Sequence, residues 1–191
     1  MLIKSALPAP QQETLLEGIN DTYFFQPGAN QAMCFGSLPY WAEELVSMLQ
    51  QRSLLSAVPA RQPLFDQLAV NRYEPGEGLK SQVDLPHRFD DGVVIVSLGA
   101  PAVMRFTAPA QQERCPAGSP AICETGSACL SARGPSAPLA SVLLDPGDCL
   151  ILAGIARYGV LHGFDAVKEE WYGGRSIVRG VRTSVTLRKL L

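Results

Sequence analysis

The sequence contains no pair of cysteines in the Cys-x-x-Cys spacing and only two histidines, His87 and His162. Its five cysteines are odd in number and irregularly spaced, which argues against a zinc site and favours a protein kept reduced inside the cell. No apolar run reaches the length of about 18 residues that a membrane-spanning helix needs, and the amino-terminal residues lack the apolar core of a signal peptide. We therefore expect a soluble intracellular protein, cytoplasmic and/or nuclear, that does not bind membranes.

An excess of charge of either sign is also missing. The chain has 16 basic and 18 acidic residues, so its net charge of −2 creates no general attraction to nucleic acid, and any such contact must come from a local basic patch. With 191 residues, of which 47% are hydrophobic, the chain is long enough to bury a substantial core. We expect a single domain over residues 1–191, present as a monomer.

Residues 1–64 are predicted to form an extension to the main fold. Residues 1–36 indicate an extended arm with a short helix at 11–18. A second, amphipathic helix is indicated by apolar residues at spacings of three and four, with Ser37 as its N-cap and Pro39 in its first turn. These apolar residues are Leu38, Trp41, Leu45, Met48 and Leu49. The pattern is typical of a helix that supports a sheet; the alternative is a helix that binds a partner.

Short strands dominate from residue 65 onward. Turns rich in proline and glycine separate them, without βαβ alternation or a glycine-rich phosphate loop, which predicts a sandwich or barrel. The predicted strands are 65–73, 79–84, 93–98, 102–106, 141–144, 149–153 and 184–187. Residues 107–140, rich in Ala, Pro, Ser and Gly, are predicted to be a flexible, peripheral insertion between two strands of a hairpin. Residues 171–174 are predicted to be a loop.

Polar side chains occur at even spacings along several of these predicted strands. Gln82 and Asp84 are two residues apart, as are Asn71 and Tyr73. Because residues i and i+2 of a β-strand point to the same face, the side chains of each pair would reach into one site together. Arg182 and Arg188 lie six residues apart on an alternating segment, so both can face the interior of a barrel.

These residues belong to four motifs that occur in a fixed order. The motifs are NRYEPG from Asn71, the Gln82-x-Asp84 pair followed by an apolar strand and SLG, DPGDCLILAGIARYGVLHG from Asp145, and RTSVTLR from Arg182. With them, the chain from about residue 65 to its carboxyl end resembles the AlkB-like Fe(II)/2-oxoglutarate dioxygenases, and NRYEPGEG is more similar to the eukaryotic homologues than to the bacterial repair enzyme. The resemblance implies a mainly β fold with supporting helices, the double-stranded β-helix or jelly roll, with residues 65–191 as its core.

The resemblance also implies an iron site and a 2-oxoglutarate site. The family holds Fe(II) with two histidines and one carboxylate; Asp84 and His162 match two of these ligands, and Gln82 stands where the first histidine is expected. Arg182 matches the arginine that binds the distal carboxylate of 2-oxoglutarate through paired hydrogen bonds, and Arg188 matches one near its keto-acid end. The positions that complete the cosubstrate site by this resemblance are Asn71, Tyr73 and Ser184.

Gln82 leaves three interpretations open. A glutamine oxygen is neutral and is a weaker donor for Fe(II) than an imidazole nitrogen. The chain is therefore a weakened enzyme, an inactive relative that still binds 2-oxoglutarate, or an active enzyme with a substituted ligand. His87 could replace the missing ligand, but it follows Asp84 by three residues with Pro86 between them, which is more typical of a polar loop residue.

The activity that the resemblance implies consumes O₂ and 2-oxoglutarate and hydroxylates a C–H bond, on an N-alkyl group of a nucleobase in RNA or DNA. Such a base must leave its stack to enter a pocket. The substrate lid of the relatives matches residues 21–60, where Tyr23, Phe25 and Phe35 can stack on a base or pack in the core. Two rivals remain: a non-catalytic module that binds 2-oxoglutarate or RNA, and an oxygenase of protein side chains. For four basic residues the alternative is a solvated basic edge or a patch that contacts phosphate; these residues are Arg179, Arg182, Arg188 and Lys189.

Overall fold

The computed structural model describes residues 1–23, 25, 30–109 and 138–191. Within these ranges the chain forms two facing antiparallel sheets, a small hairpin, and two longer helices against the outer face of the larger sheet. The elements are β1 (Leu2–Ile3), α1 (Ala9–Thr22), β2 (Gln31–Phe35), α2 (Tyr40–Gln51), β3 (Gln67–Tyr73), β4 (Leu79–Gln82), β5 (Val93–Gly99), β6 (Ala102–Thr107), β7 (Ala140–Leu144), β8 (Cys149–Leu152), α3 (Ile155–Tyr158), β9 (Leu161–Phe164), β10 (Glu169–Tyr172), β11 (Arg175–Val178) and β12 (Arg182–Arg188).

The two main sheets contain ten of the strands named above, and β10 and β11 form the small hairpin. The larger sheet has the order β1-β8-β5-β12-β3-β2, and the smaller sheet has the order β4-β9-β6-β7. Successive strands cross repeatedly from one sheet to the other, which is the arrangement of a jelly roll. The predicted fold class, mainly β with supporting helices, is confirmed.

The helices cover one face of the larger sheet. Alternate residues of its central strands, such as Val96 and Val185, point to this face and form one core with Ile19 of α1 and with Trp41 and Leu49 of α2. Burying an aliphatic or aromatic side chain of this kind contributes about 1.5–3 kcal/mol. The opposite face of the sheet packs against the smaller sheet and forms a second core.

The amphipathic helix predicted around residues 38–49 is confirmed as α2, but its predicted cap is wrong. The helix begins at Tyr40, and Pro39 occupies the N-cap position with φ −63° and ψ 151°, without a side-chain cap. A proline disfavours helical geometry in the residue before it, so the helix cannot extend back through Leu38 to a cap at Ser37.

The first helix is longer than the predicted 11–18 and covers Ala9–Thr22. Pro10 is accommodated because the first helical N–H groups have no partner within the helix. The Oγ1 atom of Thr22 accepts a hydrogen bond from Nε1 of Trp41 at 3.0 Å, which joins α1 to α2. No helix in the described ranges is long and apolar enough to cross a membrane.

Two strands lie in the segment predicted to be an extended arm. β1 pairs with β8 at one edge of the larger sheet, and β2 pairs with β3 at the other, where Met33 lies opposite Ala69. Strands this short carry little pattern of their own, and they form because an existing strand offers free hydrogen-bonding groups.

Asp148 of the Pro-Gly-Asp turn ties the amino-terminal strand to the sheet. Its carboxylate accepts hydrogen bonds from the backbone N–H of Ser5 (2.9 Å) and of Asp145 (2.7 Å), and from Nζ of Lys4 (2.5 Å). Gly147 before it has φ +86°, and a Cβ there would lie 2.4 Å from the carbonyl oxygen of Leu7. This motif of the resemblance therefore has a structural role.

The hairpin predicted around the insertion is formed by β6 and β7, paired from Ala102 opposite Leu144 to Phe106 opposite Ala140. The backbone N–H of Leu139 donates to the carbonyl oxygen of Phe106 at 2.7 Å and closes the described part of the hairpin. Residues 110–137 of the predicted insertion, with three of the cysteines, lie outside the described residues.

Residues 171–174, predicted to be a loop, belong instead to the hairpin of β10 and β11. Its turn is formed by Gly173 and Gly174, both with positive φ, as two-residue hairpin turns require. Glu170 is buried behind β6, where it accepts hydrogen bonds from Nη1 of Arg179 (2.9 Å) and from the backbone N–H of Val103 (3.1 Å). Sequence spacing did not indicate this anchor, because its partners are far apart in the chain.

The carboxyl end of β12 is fixed by Asp66. Its carboxylate binds Nζ of Lys189 and accepts the backbone N–H of Leu190 at 2.7 Å. Burial alone would raise the pKa of Asp66, but the hydrogen bonds with Lys189 and Leu190 and the charge of Lys189 outweigh it and lower the pKa below its ordinary value of 3.8.

We predict that Asp66→Asn lowers the free energy of unfolding by about 1 kcal/mol at neutral pH. Because the pKa of Asp66 is lower in the folded than in the unfolded state, its contribution is full above pH 3.8 and is lost as the pH falls through the folded-state pKa. Urea unfolding across this range should show the two proteins converging at acid pH. Asp21→Asn is the control, because Asp21 is exposed. A loss of unfolding free energy in Asp66→Asn that is equal at acid and neutral pH would contradict the prediction.

Candidate active site

A pocket opens between the inner faces of the two sheets. Alternate residues of β12 point into it, and the strand register places Asn71 beside Ser184 and Tyr73 beside Arg182. The side chains that line it are those of Gln31, Asn71, Tyr73, Leu79, Gln82, Asp84, Ile95, Met104, His162, Phe164, Arg182, Ser184, Thr186 and Arg188. The pocket thus contains every residue predicted for the iron and 2-oxoglutarate sites.

Asp84 and His162 are in contact in this pocket. The Nε2 atom of His162 lies 3.5 Å from Oδ2 of Asp84, and the other carboxylate oxygen lies 3.1 Å from Nη1 of Arg188. Both Asp84 and His162 are less than a tenth exposed. Gln82 is opposite His162 in the antiparallel register of β4 and β9, so its side chain stands beside the imidazole.

Two glycines allow β4 and β9 to approach closely enough for this geometry. A Cβ at Gly163 would lie 2.5 Å from the carbonyl oxygen of Leu79, and a Cβ at Gly78 would lie 2.6 Å from that of Phe164. Any larger residue would push the strands apart. The glycine of the His-Gly motif therefore supports the position of His162.

Burial lowers the pKa of His162, and the charges of Arg157 and Arg188 lower it further, while Asp84 acts in the opposite direction. The imidazole is consequently neutral at neutral pH and keeps a nitrogen lone pair. A neutral imidazole beside a carboxylate is a donor pair suited to a divalent transition metal.

Arg182 is buried in the pocket without a negative partner in the described part of the chain. It is 1% exposed, donates from Nη2 to Oγ of Ser97 at 2.8 Å, and lies over the rings of Tyr73 and Phe164. Its Nε has no hydrogen-bond partner. Burial lowers its pKa to about 10, which leaves the guanidinium charged at neutral pH. A buried cation with unused donors fits an anionic ligand such as a carboxylate.

The donor set for iron is less complete. In the described ranges no three His, Cys, Asp or Glu side chains are grouped so that they could hold a metal ion. Asp84 and His162 supply two donors, and the side chain in the third place is that of Gln82. The residues fit a metal with two strong ligands and one weak ligand.

The remaining predicted residues divide between the two faces of the larger sheet. Tyr23 and Phe25 pack on the helix side, where Tyr23 meets Trp41 edge-on and Phe25 lies under Arg72, which favours core packing over stacking on a base for these two residues. Phe35 is on the pocket side and is 47% exposed. His87 is also exposed and does not line the pocket, which favours a polar loop residue over a replacement ligand.

The alternative of a solvated basic edge is also wrong for the arginines. Arg179, Arg182 and Arg188 are each less than a tenth exposed, and Arg179 is paired with Glu170. Lys189 is held by Asp66. The alternating pattern of β12 accounts for the burial of Arg182 and Arg188, because both fall on its inward face.

A jelly roll with an aspartate, a histidine and buried arginines around one pocket defines the class of 2-oxoglutarate-dependent oxygenases. A model of the 2OG-Fe(II) oxygenase superfamily matches residues 4–188. The chain belongs to this superfamily.

Curated relatives support the AlkB-like assignment. The tRNA (carboxymethyluridine(34)-5-O)-methyltransferase ALKBH8 of Mus musculus is 24% identical over an alignment that covers 100% of this chain and 30% of the relative. The protein of the same name from Xenopus tropicalis is 28% identical, with 81% of this chain and 22% of the relative covered. The chain thus spans less than a third of the length of these relatives.

Solved structures show the same fold. The structure of OsALKBH1 matches with a TM-score of 0.57 at 19% identity, covering 99% of this chain and 97% of that chain. A prolyl-4-hydroxylase of Pseudomonas putida matches with a TM-score of 0.53 at 11% identity, covering 99% of this chain and 91% of that chain.

Proposed function

We propose that the protein is a 2-oxoglutarate-dependent dioxygenase that oxidises an alkylated nucleobase, and that Gln82 weakens its iron site. The observation that carries this proposal is Arg182, a buried guanidinium with unused donors in the pocket that also holds Asp84 and His162. Binding of 2-oxoglutarate to the purified protein, followed by assay of succinate formation with alkylated RNA and DNA, tests it.

The chain's own residues would bind and orient the cosubstrate. Arg182 would take the distal carboxylate through two parallel hydrogen bonds, and Ser97 and the rings of Tyr73 and Phe164 would hold the guanidinium in place. Burial raises the pKa of Tyr73, so its hydroxyl stays neutral and can donate to the same ligand. Asn71 and Ser184 line the same wall of the pocket.

Asp84 and His162 would hold Fe(II), with the amide oxygen of Gln82 in the third place. Iron held there would supply the reaction with O₂ that oxidises a C–H bond while 2-oxoglutarate becomes succinate and CO₂. Arg188 would hold the Asp84 carboxylate in its orientation, because the Nη1 atom of Arg188 lies 3.1 Å from Oδ1 of Asp84.

A row of cations and rings supports a nucleobase as the substrate. The guanidinium of Arg188 lies 4.6 Å from the ring centre of Phe89, and that of Arg88 lies 5.8 Å from the same ring and 5.2 Å from the ring of Phe35. Phe35 and Arg88 are exposed, and Arg88 has no carboxylate partner among the described residues. An exposed ring beside an unpaired arginine suits a base and its phosphate.

The names of the relatives include both RNA and DNA. Three of the similar proteins are named as methyltransferases of a tRNA uridine, and an Arabidopsis thaliana relative, 30% identical over 65% of this chain, is named an alkylated DNA repair protein. The methyltransferase activity is not part of the proposal, because the alignments cover less than a third of those three proteins.

A non-catalytic module that binds 2-oxoglutarate is the second candidate. Gln82 favours it, since a site with two strong ligands holds iron less tightly than one with three. The two candidates share the cosubstrate pocket and differ in metal content and turnover.

We predict that Arg182→Gln weakens 2-oxoglutarate binding by about 2–5 kcal/mol, because a neutral amide cannot replace the buried charge. Calorimetric titration of both proteins without oxygen measures the difference. Arg175→Gln on β11, exposed and outside the pocket, is the matched control. Unchanged affinity in the folded Arg182→Gln protein would exclude the assigned cosubstrate site and leave the fold unaffected.

We predict that Gln82→His raises both iron affinity and succinate formation by about tenfold or more, since even partners of metal ligands are worth 10–100-fold. The register already places position 82 beside His162. Anaerobic metal titration and succinate assay at saturating 2-oxoglutarate measure the effect, with Asp84→Ala as the negative control.

Two outcomes contradict this prediction. If the natural protein is already fully active and Gln82→His raises neither iron affinity nor succinate formation, the weakened-site proposal fails. If neither the natural protein nor Gln82→His binds iron, the non-catalytic candidate is correct.

We predict that Phe35→Ala weakens binding of a short single-stranded RNA with one alkylated base by about 1–3 kcal/mol, the usual contribution of one stacked base. Fluorescence anisotropy measures this affinity. Tyr40→Ala is the control, because Tyr40 is a 72% exposed aromatic residue outside the group of rings that Arg88 contacts, which are those of Phe35 and Phe89. Equal affinities of the two variants would show that Phe35 is not part of the substrate surface.

A further inference from the structure

Arg157 is a buried arginine that lies outside the pocket and serves no ligand described above. It belongs to the short helix α3 and is 1% exposed. Its guanidinium reaches under the segment 84–90, which leaves β4 after Gln82 and carries Asp84 at its beginning.

All the strong contacts of this guanidinium are to backbone carbonyl oxygens of that segment. Nη1 donates to Asp84 at 2.7 Å and Nη2 donates to Phe89 at 2.8 Å. Longer contacts of 3.4 Å join Nη2 to Leu85 and Nε to Asp90. A single side chain therefore ties the two ends of the segment to each other.

The hydrogen bonding of Arg157 differs from that of Arg182 and Arg188 in the pocket. Arg182 and Arg188 each have a buried Nε without a partner, whereas no nitrogen of Arg157 is left without one. Burying a guanidinium away from carboxylates costs several kcal/mol unless its donors are satisfied. Here the carbonyl groups satisfy them, so Arg157 is used within the protein, and Arg182 is free for a ligand.

The other contacts of the segment lie toward its far end. The backbone N–H groups of Arg88 and Phe89 donate to the carbonyl oxygen of Leu85 within the segment, and that of Asp90 donates to Lys189. The carbonyl oxygen of Arg88 accepts the N–H of Leu191 at 3.2 Å, and the Asp90 carboxylate binds Nη1 of Arg61 at 3.0 Å. Asp84 itself is beyond the last residue of β4, so no strand pairing holds its backbone. Helix α3 is in turn fixed by the Asp91 carboxylate, which accepts the backbone N–H of Gly154 at 3.0 Å.

We propose that Arg157 is a positioning residue that holds the backbone of Asp84 in place for metal binding and, through the same segment, holds Arg88 over Phe35 at the edge of the pocket. The roles of Arg157 in metal binding and at the substrate surface rest on the function proposed above. Its role in holding the segment 84–90 in place does not. Lysine cannot replace Arg157 fully, because one ammonium group cannot span carbonyl oxygens at both ends of the segment.

Amide hydrogen exchange of the protein without metal or 2-oxoglutarate tests the proposal directly. The amides of residues 88–90 donate hydrogen bonds in this segment. In Arg157→Gln they should exchange at least tenfold faster, relative to the amides of β12, than in the natural protein. In Arg157→Lys the ratio should be intermediate. Leu49→Ala is the control, because it destabilises the fold from the helix core, where Leu49 is fully buried. It should accelerate both segments in parallel. If the ratio of the exchange rates of the segment to those of β12 is the same in all the proteins, the proposal is overturned.

Metal binding is the second readout, with Mn²⁺ as the probe under anaerobic conditions. Arg157→Gln should bind Mn²⁺ about 10–100-fold more weakly, the range found when partners of metal ligands are removed. Its affinity for 2-oxoglutarate should change much less, because Arg182 is untouched. Unchanged Mn²⁺ affinity would overturn the role in metal binding. If the segment loosens but the natural protein binds no Mn²⁺, the proposed iron site fails and the role of Arg157 in holding the segment stands. If Arg157→Gln does not fold, Arg157→Lys supplies the same comparison.

Discussion

The burial of positive charge between two sheets is the constraint on which the site depends. Arg182 and Arg188 are buried between the sheets, and a guanidinium there must find partners or destabilise the fold. Arg188 is balanced by Asp84, whereas the partners of Arg182 among the described residues are a hydroxyl and two aromatic rings. The stability of this protein is therefore linked to what occupies the pocket, because any anion bound at Arg182 stabilises the folded state by mass action.

The alternation of β-strand side chains made most of the candidate site predictable. On β12 the residues at even positions are polar and those between them include the apolar Val185 and Leu187, so an inward polar face follows from the pattern alone. The jelly roll followed from the order of the motifs, which the fold confirms. Aromatic residues were less informative: Tyr23 packs in the helix core while Phe35 reaches the pocket side, and composition alone does not separate a core residue from a surface one.

What the sequence did not reveal depends on distant contacts. The four-residue α3 carries no periodic pattern. Arg157 binds carbonyl groups far earlier in the chain, and Asp84 precedes it by 73 residues. The hairpin β10–β11 likewise depends on Glu170, whose partners are Val103 on β6 and Arg179 just after β11. Strand β1 has two residues and carries no pattern of its own, and β2 is an edge strand that is defined by its pairing with β3.

The pairing of β6 separates the connection between β6 and β7 from the residues of the candidate site. On one edge β6 is joined to β7 by a register that runs from Ala102 to Phe106, and on the other edge Phe106 lies opposite His162. Residues inserted between the two strands enter beyond these pairs, and loop-closure entropy grows only slowly with their number. The chain can therefore change in length and composition one strand away from His162 without moving that residue, so that evolution can alter the surroundings of the pocket independently of its ligands.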